Sequence, residues 1–237
     1  PKVLRNIHEA LSERVDMRMS CRAEAIVVAD GRAVGVETRH GRIDADYIVV
    51  CPGRSGAAWL REQAERLGLS MSRNPVDIGV RVETHAAVLE ELTESLYEFK
   101  LLYWSRRFDN LVRTFCVCPH GEVVMERVND VLTVNGHSYA GRRTENTNFA
   151  LLVSSRFTEP FDDPIAYGLY IAKLANLLAD GVLVQRLVDL QQGRRSTAHR
   201  LEHSLVRPTL PEATPGDLSY ALPYRHLAAL MEMLEAM

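Results

Sequence analysis

The chain has 237 residues, 46% of them hydrophobic, and a formal net charge of −3. That is enough apolar material for one large domain or two modest ones, and ordinary glycine and proline levels exclude a fibrous or disordered chain. The acidic balance argues against a general nucleic-acid binder, which needs excess positive charge, and no apolar run approaches the roughly 20 residues of a membrane span.

Val3, Leu4, Ile7, Ala10 and Leu11 recur at helical spacing and predict an amphipathic helix over residues 2–14. The chain runs into it directly from Pro1, with no initiator methionine and no signal peptide, which reads as a cut inside a longer polypeptide. The period then changes. Residues 25–28 read as a strand, and Asp30-Gly31 as a hairpin turn whose two central positions need positive φ. Val34, Val36 and Thr38 alternate on the return strand, and His40-Gly41 turns again, so residues 23–45 form a three-stranded meander. Residues 47–51 (Tyr-Ile-Val-Val-Cys) suit a strand covered on both faces, as in a parallel sheet. That run stops at Pro52-Gly53-Arg54-Ser55-Gly56, with Ser55 expected to cap the next helix and Gly68 to close it.

From Pro75 the texture is mostly β. Val76, Ile78, Val80 and Val82 alternate with Asp77, Gly79, Arg81 and Glu83, the pattern of a half-buried strand. A short helix is expected over 86–92. Strands are expected at 97–104, 112–118, 122–127, 131–135 and 149–155, forming an antiparallel sheet as a separate layer. Helices should cover 165–179 and 182–191, and a last one, with Pro223 in its first turn, should reach the C-terminus.

Five features carry chemical interest. The basic residues are three lysines and 25 arginines; the arginines are scattered, which reads as compositional bias rather than one anion-binding surface. The four cysteines do not make a disulfide scaffold, so a reducing, cytoplasmic setting fits. Cys116 and Cys118 share a strand face but lack the paired clusters of a structural zinc site, so free thiols and no metal are expected. Residues 135–148 form a long polar stretch in which Arg142, Arg143, Asn146 and Asn148 are candidates for binding an anionic substrate, against the alternative of a solvated connector. Gly193-Arg194-Arg195-Ser196-Thr197 reads either the same way or as a helix end with charge placed near the dipole.

The order of helix, meander, apolar strand and glycine turn resembles the middle of the FAD-binding domain of glutathione-reductase-like flavoproteins. Several segments also resemble a bacterial family of FAD-dependent dehydrogenases. They are Val50-Cys51-Pro52-Gly53-Arg54-Ser55-Gly56, Asp77-Ile78-Gly79-Val80-Arg81-Val82-Glu83, Thr114-Phe115-Cys116-Val117-Cys118-Pro119, Glu145-Asn146-Thr147-Asn148, Gly193-Arg194-Arg195-Ser196-Thr197 and Pro215-Gly216-Asp217-Leu218-Ser219. The resemblance implies an α+β fold: an incomplete, Rossmann-like FAD-binding portion with a β-meander over residues 1–72, and an antiparallel-sheet substrate or cap domain with helices over 73–237. It implies FAD contacts from Cys21, Arg22 and Ala23, entering the meander, and from Cys51, Pro52, Gly53 and Arg54 at the turn. Gly53 suits that place because a residue without Cβ lets the backbone approach a ligand. The family's N-terminal G-x-G-x-x-G and C-terminal flavin segments are absent here, so the chain should depend on further segments of the same polypeptide and should not retain FAD alone. A small-molecule substrate is implied, with NAD(P)H a candidate electron donor; no catalytic residue stands out. The rival reading is a non-catalytic α+β module that binds a ligand or a protein. A weaker one is an RNA-associated flavoprotein, which the acidic balance disfavours.

Overall fold

The computed structural model describes residues 2–72, 74–128, 130–158, 160–161 and 163–237. Pro1 and Arg73, which begin the two expected domains, lie outside the described residues. The chain divides into two compact units, Pro1–Met71 and Ser72–Met237.

The first unit opens with helix α1 (Lys2–Ser12), in which no residue is buried. Strands β1 (Ala23–Ala29), β2 (Arg32–Thr38) and β3 (Gly41–Asp44) form the expected antiparallel meander in the order β1-β2-β3. Its first turn has φ of 51° at Asp30 and 73° at Gly31, the positive pair that the hairpin needs. Helix α2 (Ala57–Arg66) lies against β1. The buried Gln63 accepts from the Ile26 amide at 3.1 Å and donates to the Glu24 carbonyl at 3.3 Å, while Trp59 Nε1 donates to the same carbonyl at 2.9 Å. A glutamine thus satisfies one edge of the meander with its amide.

Two expectations fail here. Residues 47–51 join no ladder among the described residues, and Tyr47 and Val49 are 88% and 85% exposed. Their apolar character is that of a covered strand, but this unit supplies no cover. Ser55 is not a cap: it sits inside a short 3-10 turn over Arg54–Gly56, and Gly56 occupies the cap position of α2.

The second unit is an α+β layer structure. Strands β4 (Val76–His85), β5 (Leu102–Trp104), β6 (Leu111–Cys118) and β9 (Asn146–Ser155) form an antiparallel sheet ordered β4-β9-β6-β5. β4 and β9 pair over ten residues, from Val76↔Ser155 to His85↔Asn146. Alternation sends Ile78, Val112, Phe149, Leu151 and Val153 to one face. There they pack with Leu227, Leu230 and Met233 of the last helix, α7 (Tyr224–Ala236), and with Tyr167 and Ile171 of α4 (Pro164–Ala179). Each buried aliphatic side chain contributes roughly 1.5–3 kcal/mol. The other face carries Asp77, Arg81, Glu83 and Asn148. A separate hairpin, β7 (Glu122–Val128) and β8 (Val131–His137), completes the β part, and helix α3 (Glu90–Ser95) follows β4.

Several boundaries move for visible reasons. The expected strand 97–104 shrinks to β5; just before it the Leu101 carbonyl accepts from the Thr114 amide at 3.0 Å, while the Leu101 amide is clipped by the buried Thr114 hydroxyl at 2.9 Å. The expected helix 182–191 is divided: β10 (Leu183–Val184) pairs in parallel with β11 (Thr214–Pro215), and α5 starts only at Leu187, ending at Gln191. Pro223 precedes the last helix as its cap residue. The 135–148 stretch is not one loop: residues 135–137 end β8 and residues 146–148 begin β9. No helix among the described residues is long and apolar enough to cross a membrane.

Candidate functional site

A groove of about 520 Å³ opens in the second unit between α3, the turn joining β6 to β7, and the loop from β8 to β9. The turn is built first. His120 adopts φ 49°, and the Gly121 amide donates to the Cys118 carbonyl at 3.2 Å. Residue 121 must be glycine, since a Cβ there would stand 2.4 Å from the His137 carbonyl oxygen. Ser138 Oγ donates to the Pro119 carbonyl at 2.9 Å, tying the loop to the turn.

His120 is fastened in the same way. Its Nδ1 lies 3.0 Å from the Thr144 carbonyl oxygen, and its own carbonyl accepts from the Thr144 amide at 3.0 Å. A carbonyl only accepts, so Nδ1 carries a proton, and in the neutral ring the lone pair is on Nε2. Opposite, Glu90 and Glu94 stand one turn apart on α3 and line the groove with Tyr97. Tyr139 and Arg143 close the remaining side. The groove therefore offers two carboxylates, one guanidinium, aromatic faces and one imidazole able to accept a proton.

The four residues predicted for substrate separate. Arg143 lines the groove. Arg142 sits beside it, ion-paired with Glu122 and with its guanidinium 4.8 Å from the centre of the Tyr139 ring. Asn146 and Asn148 do not share the loop; both are buried in β9 and hold the fold. Asn146 Nδ2 donates to the Arg207 carbonyl at 2.8 Å. Asn148 Oδ1 accepts from Arg81 Nε at 2.7 Å. Sequence reasoning missed Glu90, Glu94, Tyr97 and His120. No motif in the sequence marks them, because only the fold brings residues 90–97 beside residue 120.

β6 bulges between Phe115 and Cys118, where Cys116 takes φ 48°, and the Cys116 side chain still reaches the Cys118 thiol. Arg81 Nη2 fills the bulge, donating to the Cys116 carbonyl at 2.6 Å and to Cys118 Sγ at 3.1 Å. Burial pushes the Cys118 thiol up, and the Arg81 charge opposes this only in part, so the thiol is a poor nucleophile. Both cysteines are free thiols, and no group of three or more potential ligands among the described residues is arranged to hold a metal ion. Ser155 Oγ and His226 Nε2 stand 3.0 Å apart, but both side chains are buried in the core.

In the first unit, Cys21, Arg22 and Ala23 lead into β1, and Cys51, Pro52, Gly53 and Arg54 lead into α2. The Trp59–Glu24 hydrogen bond sets the first turns of α2 beside the start of β1. Gly53 is exposed, with φ 67° and ψ −169°, and no heavy atom beyond its chain neighbours lies within 4 Å of where a Cβ would stand.

Residues 75–237 match the family model described as "FAD-dependent protein, C-terminal domain-like". A protein of Clostridium beijerinckii, described as an uncharacterized protein, is 27% identical over 164 residues, covering 64% of this chain and 30% of that protein. The chain thus spans less than a third of that relative's length.

Proposed function

This chain belongs to the family of FAD-dependent proteins marked by that C-terminal domain, and we propose that it is an interior part of a cytoplasmic FAD-dependent dehydrogenase. In this reading the enzyme moves hydride or electrons through the flavin, to or from a small-molecule substrate. Pro1–Met71 contributes part of a Rossmann-like, glutathione-reductase-like flavin domain, and Ser72–Met237 is the substrate or cap domain. The family match, which spans residues 75–237, carries the proposal.

The residues of the first unit fit one edge of the dinucleotide. Gly53 presents open backbone in a conformation that glycine alone adopts readily, and Arg54 beside it is exposed. They do not fit the pyrophosphate, because the sequence has no G-x-G-x-x-G loop ahead of a helix. Other segments of the polypeptide therefore supply that cradle, and neighbouring strands cover residues 47–51. Bound flavin supplies the hydride or electron acceptor; the chain's own residues position and exclude. The groove of the second unit takes the substrate, with Arg143 and the Glu90–Glu94 pair orienting its charged groups and His120 Nε2 receiving a proton.

The test is made on the full-length protein. It should purify yellow, with one flavin per chain, and Gly53→Val should lose the flavin while the second unit stays folded. His120→Gln should lower kcat at unchanged flavin content. Bleaching by NADH or NADPH identifies a nicotinamide donor. The isolated 237-residue chain should be colourless. A colourless full-length protein would overturn the reading in favour of a non-catalytic binding module.

A further inference from the structure

Arginines that are scattered along the sequence come together in space. After α5, Gly193 takes φ 64° and the chain turns through residues 194–197 into helix α6 (Ala198–Glu202). Asp189 on α5 is completely buried. Its carboxylate accepts from Ser196 Oγ and from Arg194 Nε, each at 2.8 Å. Arg186 Nη1 stands 3.9 Å and Arg200 Nε 4.0 Å from the same carboxylate. Arg200 is oriented by donating through Nη1 to the Arg195 carbonyl at 2.7 Å, and Arg186 by donating to the Arg200 carbonyl at 3.2 Å.

Three guanidinium groups around one carboxylate leave two positive charges in excess within a few ångströms. A structural ion pair needs one partner; crowding three cations into a partly desolvated place costs repulsion that a single carboxylate does not offset. The donors are also not used up. The Nη groups of Arg194, and Nη2 of Arg186 and Arg200, have no hydrogen-bond partner among the described residues. The three side chains keep 26%, 46% and 34% exposure, so the unspent donors reach solvent.

We propose that Arg186, Arg194 and Arg200, seated on Asp189, form a binding site for a phosphate-type oxyanion. A dianion matches the excess charge, and the guanidinium fork matches tetrahedral oxygens with two parallel hydrogen bonds. Asp189 is the buried anchor that aims the three side chains. The site lies outside the groove described above and does not depend on the flavin reading.

Calorimetric titration of the intact chain with inorganic phosphate, at constant ionic strength, tests this directly. One saturable site is expected. Arg194→Gln should weaken it about tenfold, the equivalent of about 1.4 kcal/mol of lost charge-assisted hydrogen bonding, and Arg194→Lys should fall between. Adenosine 5′-monophosphate distinguishes the source: binding equal to phosphate marks a site for the group alone, and tighter binding marks a nucleotide. Phosphate that binds no better than chloride, or equally well to Arg194→Gln, overturns the proposal. If that variant does not fold, phenylglyoxal labelling of the wild type with peptide mapping decides. Phosphate should shield Arg186, Arg194 and Arg200 but not Arg113, and unchanged labelling of the three overturns the site.

Discussion

The two units spend their apolar residues in opposite ways. In Ser72–Met237 the alternating strands deliver Val112, Leu151 and Val153 to complete burial, under a helix whose Ala229, Leu230 and Met233 are also sealed. In Pro1–Met71, Ala64 is the one buried hydrophobic residue among those described, while Val3, Leu4, Tyr47 and Val49 stand in the open. Both units have well-patterned sequences. An apolar pattern states that a cover is needed, not where in the polypeptide the cover lies. The second unit holds its own cover. The first presents apolar surface, which under the proposed function belongs to a larger flavin domain.

Truncating one core residue in each unit puts that contrast at greatest risk. Leu151→Ala removes a fully buried side chain from the central strand of the large sheet and should cost about 2–5 kcal/mol. Val49→Ala, at a position 85% exposed, should stay within about 0.5 kcal/mol. Urea denaturation reads both, with Trp59 reporting the first unit and Trp104 the second. A loss at Val49 as large as at Leu151 would mean that residues 47–51 are covered within this chain, and the contrast would disappear.

Gly136→Ala comes next. A Cβ there would stand 2.0 Å from Arg81 Nη2 and 2.2 Å from Asn148 Oδ1. The partly buried Arg81–Asn148–Cys118 network has room only because β8 leaves that space. Forcing it apart should cost about 1–3 kcal/mol, seen as a lower urea midpoint with Trp104 as reporter. A neutral result would show that the network repacks freely, and that the second unit is less tightly specified than its core suggests.

What the sequence revealed follows the same line. Period-2 alternation from Val76 to Glu83 marked β4, and the Asp30-Gly31 turn marked the meander, because both signals are local. The Cys116 bulge and the Thr114 clip were not legible, since each depends on a residue from a distant segment filling a gap. The candidate groove was half legible. A polar run flagged Arg143, but the same run took in Asn146 and Asn148, whose side chains turn inward because β9 has already begun. His120 and the Glu90–Glu94 pair carry no motif, and only the fold brings them together.

A graded effect is expected from pH. Burial, with the Arg225 charge nearby, holds the His226 imidazole below its usual 6.5. The native state therefore binds fewer protons than the unfolded chain once the pH falls below that value, and stability fully present above it is lost on acidification. Asp189 acts lower on the scale. Burial pushes its carboxyl up, but hydrogen bonds from Ser196 and Arg194, with the charges of Arg186 and Arg194, outweigh it and hold the group below its usual 3.8. Its contribution is complete above 3.8 and is lost as pH falls through the lower native value. Denaturation midpoints of the second unit should thus decline in two stages, and His226→Gln should flatten the first alone. A single decline unchanged in that variant would contradict the assignment.

A small effect is expected at the groove's rim, where the second unit resembles the first in leaving side chains in water. Arg142 pairs with Glu122, and its guanidinium lies over the Tyr139 ring, yet its side chain is 60% exposed. Water and salt screen such a pair, and the ring contact adds little at an exposed site. Arg142→Ala should therefore lower stability by about 0.5–1 kcal/mol at low salt and by less as ionic strength rises. Because Arg142 packs on Tyr139, which lines the groove, the same variant should disturb substrate affinity more than folding, raising KM while leaving kcat in place. A change in kcat of the full-length enzyme, with KM constant, would mean that the rim touches the reacting atoms rather than shaping the way in.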